Sequence, residues 1–415
     1  MIRISELLKK PMAQNFVALV LLQGINYLLE LLSAPFLIRM LGIERWGLVF
    51  FGYTVMQYLV LFADFGFNLA GTKYISAHQK ETEMVNRYLN SAFTCRIIIG
   101  ILCFVALFLL IMLFDKFSID AWFYLLYFGI VVGNVMFPMW YFQGMEKMKY
   151  ITIFNVVAKM ASLVPFFIFI RKPGDYMLVP IFYSIGFILA GLVSIYLIYW
   201  KEGMRWFIPP MKEIWAAMKD SSAYFFSRLS VSLFTYSNSF LLGLVYGNTI
   251  VGFYGAAEKL YKAYNFLLTP FTGVLFPHMA NRHDVPFFKR VMKMLTPLNI
   301  VFVIGIQLFS AWIMRVYCGV DQPESLGVFR ILILACFVTI PSMLLGYPFL
   351  AAMGHASYTN WTIVIVSLVH VSGLLILWLG GWLSIYSVAM MVVLAETLLL
   401  AFRVRGVQKF KLFSI

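Results

Sequence analysis

This sequence contains few charged residues. Only 12% of its 415 residues are Asp, Glu, Lys or Arg, whereas 62% are hydrophobic and the mean hydropathy is +0.87. Soluble domains carry about a quarter charged residues and about half apolar ones. The composition therefore excludes an ordinary soluble domain and predicts an all-α polytopic membrane protein, because each membrane helix needs about 20 apolar residues.

Acidic residues are scarcer still, since 18 Asp and Glu stand against 32 Lys and Arg, a formal charge of +14. A surplus of this size is also typical of nucleic-acid-binding proteins. In this chain, however, the basic residues lie mainly in short loops between apolar segments, where they orient membrane spans. We therefore expect membrane lipids as partners and no nucleic acid.

Residues that perform catalysis or hold metals are also few. No Asp-x-Asp pair occurs, and the five histidines are scattered without partner spacing. The predicted outer loops are at most about a dozen residues long, too short for the site of a membrane glycosyltransferase, polymerase or ligase. We therefore expect no enzyme, no metal and no cofactor. The cysteines show neither disulfide nor metal-ligand spacing; they are Cys95, Cys103, Cys318 and Cys336.

What the sequence does contain is twelve apolar runs long enough to span a membrane. The first is too long for a signal peptide, so we predict an uncleaved helix. With an inside N-terminus, inner segments hold 20 Lys and Arg and outer loops hold seven, which places both termini in the cytoplasm. The runs lie near residues 15–40, 47–70, 89–114, 121–143, 150–170, 177–200, 221–246, 249–278, 291–317, 325–353, 358–379 and 382–402.

The two halves of the chain are related. A shift of 205 residues carries Gly42-x4-Gly47 onto Gly247-x4-Gly252, in matching positions of the span order. We therefore predict two pseudo-symmetric six-helix bundles, residues 1–200 and 221–415, with a substrate site near their interface. The connection 201–220 alternates Trp, Met and Ile with Lys and Glu, a pattern typical of a cytoplasmic amphipathic helix at the membrane surface.

The eighth run contains three charges near its middle, Glu258, Lys259 and Lys262. Each costs at least ~2.5–3.5 kcal/mol in a bilayer. At 100° per residue the polar side chains share one stripe, with Lys259 at its edge; they are Tyr254, Glu258, Tyr261, Lys262, Asn265 and Thr269. The opposite face is apolar, and it consists of Ala256, Leu260, Ala263, Leu267 and Phe271. We predict that the stripe lines a hydrated cavity.

Other spans contribute polar groups to the same predicted cavity. They are Gln23 and Glu30 in the first span, Gln57 and Asp64 in the second, Arg96 in the third, Lys159 in the fifth and Arg228 in the seventh. Simpler roles stay open for several of them. Arg96 and Arg228 lie near the inner boundary and can snorkel to the headgroups, Asp64 can bond the following loop, and Glu258 and Lys262 can neutralise each other. The cavity is predicted to be net positive, which favours an anionic ligand.

Three segments resemble the polysaccharide transporter family, the Wzx-type O-antigen flippases of the MATE-like (MOP) superfamily. They are "LGIERWGLVFFGY…DFGFNLAGTKYIS" at 41–76, "FPMWYFQGMEKMKYI" at 137–151 and "VGFYGAAEKLYKAYNFLLTPFTGVLFPHMA" at 251–280. The resemblance implies a V of two six-helix bundles. It also implies a flippase that carries undecaprenyl-pyrophosphate-linked O-antigen units from the cytoplasmic to the periplasmic leaflet of a bacterial inner membrane. Partners on this basis are the O-antigen polymerase and the chain-length machinery.

Together with this resemblance, the positions of the polar residues imply a role for each of them. Positive side chains offset the desolvation of a pyrophosphate, namely Lys262, Lys259, Arg228, Lys159 and Arg96. Tyr261 and Tyr254 stack on sugars, while Asn265, Gln57 and Gln23 line the path. Glu258, Asp64 and Glu30 are candidates for coupling to protons or sodium. The alternative is a MATE-like ion-coupled drug antiporter, although cationic drugs favour an acidic cavity. The embedded charges argue against a purely structural membrane protein.

Overall fold

The computed structural model describes residues 11–413, without the side chains of residues 11–28, 30, 269 and 270. Within these residues every regular element is a helix. Gln23, Glu30 and the predicted Thr269 position therefore lie outside the described side chains. The described chain divides into two compact units. Unit 1 comprises the residues up to Arg45 with Phe51–Leu229, and unit 2 comprises Trp46–Phe50 with the residues from Ser230 onward.

Unit 1 is built from long apolar helices and several short ones. Its helices are α1 (Pro11–Asp64), α2 (Phe67–Ala77), α3 (Thr82–Leu113), α4 (Asp115–Ser118), α5 (Ala121–Tyr127), α6 (Gly129–Met136), α7 (Met139–Gly144), α8 (Met148–Phe169), α9 (Leu178–Tyr196) and the first half of α10 (Met211–Tyr246). A 3₁₀ turn over Pro173–Met177 precedes α9, and a π turn over Leu197–Lys201 follows it.

Unit 2 contains the second half of α10 and seven further helices. They are α11 (Asn248–Leu267), α12 (Thr269–Arg282), α13 (Val285–Leu308), α14 (Ser310–Cys318), α15 (Pro323–Leu344), α16 (Ala356–Leu379) and α17 (Ile385–Lys409). A π-helical segment over Leu345–His355 joins α15 to α16, with non-helical backbone at Gly346 and Gly354. The domain boundaries at residues 200 and 221 stay a prediction. Within α10, unit 1 ends at Leu229 and unit 2 continues from Ser230.

Two glycines at equivalent positions of the predicted repeat have an unusual backbone conformation. Gly42 has φ 78° and ψ 165° inside α1, and Gly247 has φ 90° and ψ −174° just before α11. This region of backbone conformation is open to glycine and strained for other residues. The 205-residue shift thus equates two residues that share an unusual local conformation, which favours the interpretation of the two segments as a repeat.

A close helix crossing within unit 2 also involves positions equated by the repeat. A Cβ added to Gly47 would collide with the carbonyl of Asn248 and lie 2.8 Å from the amide nitrogen of Gly252. A Cβ on Gly255 would collide with the ring of Phe50. Gly47 and Gly252 are equivalent under the 205-residue shift, as are Phe50 and Gly255. Glycine is therefore required on both sides of this crossing for steric reasons.

Each unit has a core rich in aromatic side chains. In unit 1 the predicted motif 137–151 supplies Trp140, Tyr141 and Phe142, all fully buried. In unit 2 the ring of Phe288 stacks on that of Phe349 at 4.1 Å, within a cluster that includes Leu412 of the C-terminal tail. The motif that carried the resemblance is therefore mainly a packing motif.

By length and apolar composition, nine described helical segments are able to cross a membrane. Two of them, Leu31–Ala77 and Pro323–Leu379, have 47 and 57 residues, about twice or more what one crossing needs. The protein is thus an all-helical, multi-pass membrane protein. The count of twelve helices in two six-helix bundles stays a prediction.

The connection 201–220 differs from the separate amphipathic helix that we predicted. Residues 203–210 are not helical, and the helix that begins at Met211 continues without interruption into the predicted seventh span. Its first turns pack within unit 1, where Arg87 is paired with Glu213. In the preceding non-helical segment, the carbonyl of Arg205 accepts from Asn90 Nδ2 at 2.9 Å. Amphipathicity is still present, because Ile214 is buried and Trp215 is exposed.

Candidate functional site

The polar stripe of α11 faces the interior of unit 2. Tyr254, Glu258 and Tyr261 are buried, whereas Leu267 of the predicted apolar face is 60% exposed. The helix therefore buries part of its polar face, while the end of its predicted apolar face is exposed. The apolar face does not point outward throughout, since Ala256 is also buried.

Glu258 and Lys262 form an ion pair one turn apart. Lys262 Nζ lies 3.2 Å from Glu258 Oε1, and Ser239 Oγ of α10 donates to Glu258 Oε2 at 3.2 Å. The glutamate side chain is only 5% exposed, whereas the lysine side chain is 38% exposed. The pairing that we left open is thus present. More than a third of the lysine side chain nevertheless remains exposed.

Aromatic rings flank both lysines of α11. Lys262 Nζ lies 5.5 Å from the ring centroid of Tyr236, and Lys259 Nζ lies 5.9 Å from that of Phe50. Cations within about 6 Å of a ring face are attracted by its quadrupole. Both ammonium groups therefore lie within range of a weak attraction to an aromatic ring. The sequence pattern did not indicate Tyr236 or Phe50, which carry no charge.

The two tyrosines that we expected to stack on sugars are packed within the protein. Tyr254 is fully buried, and Tyr261 is 7% exposed with its hydroxyl donating to Glu396 Oε1 at 3.4 Å. Neither ring offers a free face in this conformation, because close packing already covers it. Asn265 is half-buried on the same helix. The stacking role is therefore not supported here for either ring.

Unit 1 holds a second charged cluster, around Asp64 at the end of α1. Arg228 Nη1 lies 3.8 Å from Asp64 Oδ2, with the arginine side chain 42% and the aspartate 3% exposed. The buried carboxylate thus has a counter-charge from another helix, α10. Arg228 keeps nearly half of its side chain outside the protein, as a residue able to meet headgroups or a ligand would.

Arg96 does not snorkel to the membrane surface, an alternative that the sequence left open. The residue is 1% exposed, and its guanidinium donates to the carbonyl oxygens of Asn134 at 2.7 Å and Phe137 at 3.3 Å. These carbonyls lie at the C-terminal end of α6, where the backbone has no intrahelical donors and a cation is favoured. Arg96 therefore stabilises a helix end rather than presenting charge to a cavity.

The remaining predicted site residues are placed less distinctly. Lys159 in α8 and Gln57 in α1 are half-buried, and both have interaction partners. Polar residues near Lys159 on α8 differ in burial, because Asn155 is exposed while Ser162 is buried and donates to the carbonyl of Ala158. The arrangement of α8 therefore supports no ligand contact by itself.

Comparison with known proteins places this architecture in a family. A sequence profile of the family described as Polysaccharide biosynthesis protein matches residues 12–283. The chain belongs to this family. Two relatives are both named "Putative O-antigen transporter". The one from Escherichia coli K12 is 26% identical over 300 residues, 72% of each chain, and the one from Shigella dysenteriae is 23% identical over 403 residues, 96% of this chain and all of that one.

Solved structures show the fold of the MOP superfamily. The lipid II flippase MurJ in an inward closed conformation superimposes with a TM-score of 0.76 at 14% identity, covering 96% of this chain and 89% of MurJ. An inward-facing MATE-family multidrug transporter of the MOP superfamily gives 0.69 at 14% identity, covering 94% and 95%. The chain therefore has a MATE-like fold, as the resemblance of its motifs predicted.

Proposed function

We propose that this protein is a flippase for a polyprenyl-pyrophosphate-linked oligosaccharide of the O-antigen class. It moves the undecaprenyl-linked unit from the cytoplasmic to the periplasmic leaflet of a bacterial inner membrane by alternating access. Both termini lie in the cytoplasm. The names of the relatives and the fold shared with MurJ support the transport of a lipid-linked sugar.

The observation that carries this proposal is the partly exposed side chain of Lys262 beside a buried carboxylate. Its partner Glu258 is buried and also accepts from Ser239, whereas Lys262 remains 38% exposed. A lysine at this depth in a membrane helix is expected to bind a ligand or line a hydrated path. Lys259, held over Phe50, adds a second positive charge on the same helix. Together they supply the charge that a pyrophosphate needs when it leaves water.

The two carboxylates have distinct roles in this proposal. Glu258 limits the net charge beside Lys262, so that the anion is released again after transport. Glu258 and Asp64 are also the groups whose protonation or sodium binding would couple transport to an ion gradient. Liposomes with an imposed proton or sodium gradient distinguish the two ions, and Glu258→Gln is expected to remove the dependence on the coupling ion.

Complementation of a deletion strain tests the proposal. We expect Lys262→Ala to abolish export, with lipid-linked oligosaccharide accumulating in the inner leaflet, even after correction for a lower abundance of the protein. Lys262→Arg is expected to keep part of the activity, because the charge survives although its geometry changes. Lys80→Ala is the matched control, since Lys80 is an exposed lysine after α2. Normal export by Lys262→Ala would contradict the proposal.

A MATE-like antiporter of cationic drugs is the alternative with the same fold. A cationic substrate would require net negative charge at the site, whereas α11 presents two lysines and one glutamate. Transport of a cationic fluorescent dye by purified protein in liposomes separates the two functions. Dye transport that is abolished by Glu258→Gln and unaffected by Lys262→Ala would favour the antiporter.

A further inference from the structure

One end of unit 2 carries a dense group of positive charges. It is formed by the α12–α13 turn with the start of α13, and by the end of α17 with the tail that follows it. Residues 281–294 and 403–413 together hold eight Lys and Arg and one Asp. That acid, Asp284, accepts from the amide nitrogen of Phe287 and caps α13. The group is therefore strongly positive, and its one carboxylate is already used by the backbone.

The two segments pack against each other. Lys289 Nζ donates to the carbonyl of Phe413 at 2.8 Å, and the ring of Phe413 lies 5.2 Å from that of Phe349. Phe349 stacks in turn on Phe288 of α13. Because these contacts hold the tail on the start of α13, the exposed charges of both segments belong to one surface. We call it the basic surface, and its cations are Arg282, Arg290, Lys293, Arg405, Lys409 and Lys411.

The cations of the basic surface have no acidic partners. All six are exposed, and none of them forms an ion pair with any residue that the structure describes. Arg290 and Lys293 are three residues apart and so share one face of α13. Like charges that no acid balances repel one another. An anion bound among them relieves this repulsion.

Orientation in the membrane accounts for the cations but not for the lack of acids. In unit 1 the segments on the predicted inner side hold nine Lys and Arg and six Asp and Glu, in residues 73–90, 145–149 and 201–220. The positive-inside rule counts Lys and Arg, and acidic residues contribute little to it. Acids are thus tolerated on the inner side of unit 1. Their near absence from the same side of unit 2 indicates a surface suited to an anionic partner.

Exposed apolar side chains accompany the charges. Met294 follows Lys293 on α13, Val404 precedes Arg405 on α17, and Phe413 lies in the tail, and all three are exposed. Both helices are long and apolar enough to span a membrane, so the basic surface lies where two spans leave the bilayer. Cations mixed with apolar side chains at this level match the phosphates and the acyl boundary of a lipid leaflet. A lipid therefore fits better than a soluble acidic protein.

We propose that the basic surface binds the phosphate groups of anionic phospholipids in the inner leaflet. Arg290 and Lys293 on α13 contact the headgroups together with Lys409 and Lys411 of the tail region, while Met294 reaches the acyl boundary. The inference uses the predicted orientation of the chain and does not depend on the transported substrate. It assigns to unit 2 a lipid contact that the more evenly charged inner side of unit 1 lacks.

Photolabelling of the full-length protein in phosphatidylcholine vesicles tests the proposal. The probe is phosphatidylglycerol with a diazirine in its headgroup, and the reference is phosphatidylcholine with the same group. We expect the probe to label residues 281–294 and 403–413 more strongly than the reference does. Unlabelled phosphatidylglycerol should displace it. About 0.5 M NaCl should remove the difference, because salt at this concentration screens exposed charges. Equal labelling by both lipids at low salt would overturn the proposal.

Two variants with the same change in charge locate the effect. The first combines Arg290→Gln, Lys293→Gln, Lys409→Gln and Lys411→Gln, and it is expected to lower labelling by the probe about tenfold. The control combines four substitutions at exposed lysines of unit 1 and should leave labelling unchanged; they are Lys73→Gln, Lys80→Gln, Lys149→Gln and Lys212→Gln.

Unchanged labelling in the first variant, or an equal loss in the control, would overturn the proposal. Displacement of the probe by soluble polyglutamate as effectively as by phosphatidylglycerol would also overturn it, and would assign the basic surface to an acidic protein. Because no oligosaccharide is present in these measurements, their outcome is separate from that of the export assay on Lys262→Ala.

Discussion

The two copies of the repeated helix differ in charge at equivalent positions. The 205-residue shift places Glu258 and Lys262 of α11 on Tyr53 and Gln57 of α1. The backbone of the repeat is retained, including the positive φ at Gly42 and Gly247. The comparison shows that a scaffold common to both copies carries a charged pair in only one of them. This difference is consistent with the proposal that α11 carries the charges that bind the ligand.

The buried and the exposed cations of the two units also differ. In unit 1, Arg96 is buried and donates to backbone carbonyls, whereas Arg228 pairs with buried Asp64 while 42% of its side chain stays exposed. In unit 2, Lys262 is paired and yet more than a third of its side chain is exposed. A cation that is satisfied and buried stabilises the fold. A cation that stays partly exposed remains available to an incoming anion.

The largest effect is expected where the two copies of the repeat touch. Gly47→Ala forces a Cβ into the backbone of Asn248, which cannot move aside as a flexible side chain can. Overpacking of this kind costs ~1–3 kcal/mol or more, so we expect little monodisperse protein in detergent. Gly273→Ala in α12 is the control, because nothing lies within 4 Å of its added Cβ. Normal yield of Gly47→Ala would refute the close crossing.

The charge difference between α11 and α1 is tested by making α11 neutral. Lys262→Gln introduces the residue found at the equivalent position 57, and it leaves buried Glu258 without its cation, which costs up to ~3–5 kcal/mol. We expect lower abundance and no export. Glu258→Gln together with Lys262→Gln should restore abundance but not export. If the double variant exports normally, Lys262 only neutralises Glu258.

A smaller effect is expected for the charged pair of unit 1. Arg228→Gln removes the counter-charge of Asp64, and we expect a loss of ~1–3 kcal/mol, moderated by the exposure of the arginine. Asp64→Asn with Arg228→Gln should recover most of it, as measured by thermal unfolding in detergent. Additive losses in the double variant would show that the two groups are not coupled.

The smallest effect is expected at a pair that lies fully at the surface. Arg315 Nε and Asp321 Oδ1 are 3.7 Å apart, and both side chains are about 70% exposed. Exposed pairs contribute ~0–1 kcal/mol. Arg315→Ala should leave thermal unfolding and export nearly unchanged. If Arg315→Ala lost as much export as Lys262→Ala, the removal of any positive charge would abolish export, and the position of Lys262 on α11 would not matter.

Local patterns in the sequence determined the helical fold class and the direction of the polar face of α11. An α-helix repeats every 3.6 residues, so its faces can be predicted from neighbouring residues alone. The spacing Gly42-x4-Gly47 likewise indicated the repeat before any coordinates. The continuity of α10 could not be predicted in this way. The polar residues of 201–220 suggest a boundary between two helices, whereas contacts such as that of Arg87 with Glu213 stabilise one continuous helix there.

Only the tertiary structure decided which charges are available. Arg96 and Lys262 look alike in sequence, as single cations in apolar runs. The structure gives Arg96 the carbonyl oxygens of Asn134 and Phe137, some 40 residues away in the chain, and gives Lys262 a partner one turn away while part of its side chain stays exposed. Distant backbone groups leave no trace in local periodicity. The satisfaction of a buried charge is therefore a property of packing, which the order of residues does not display.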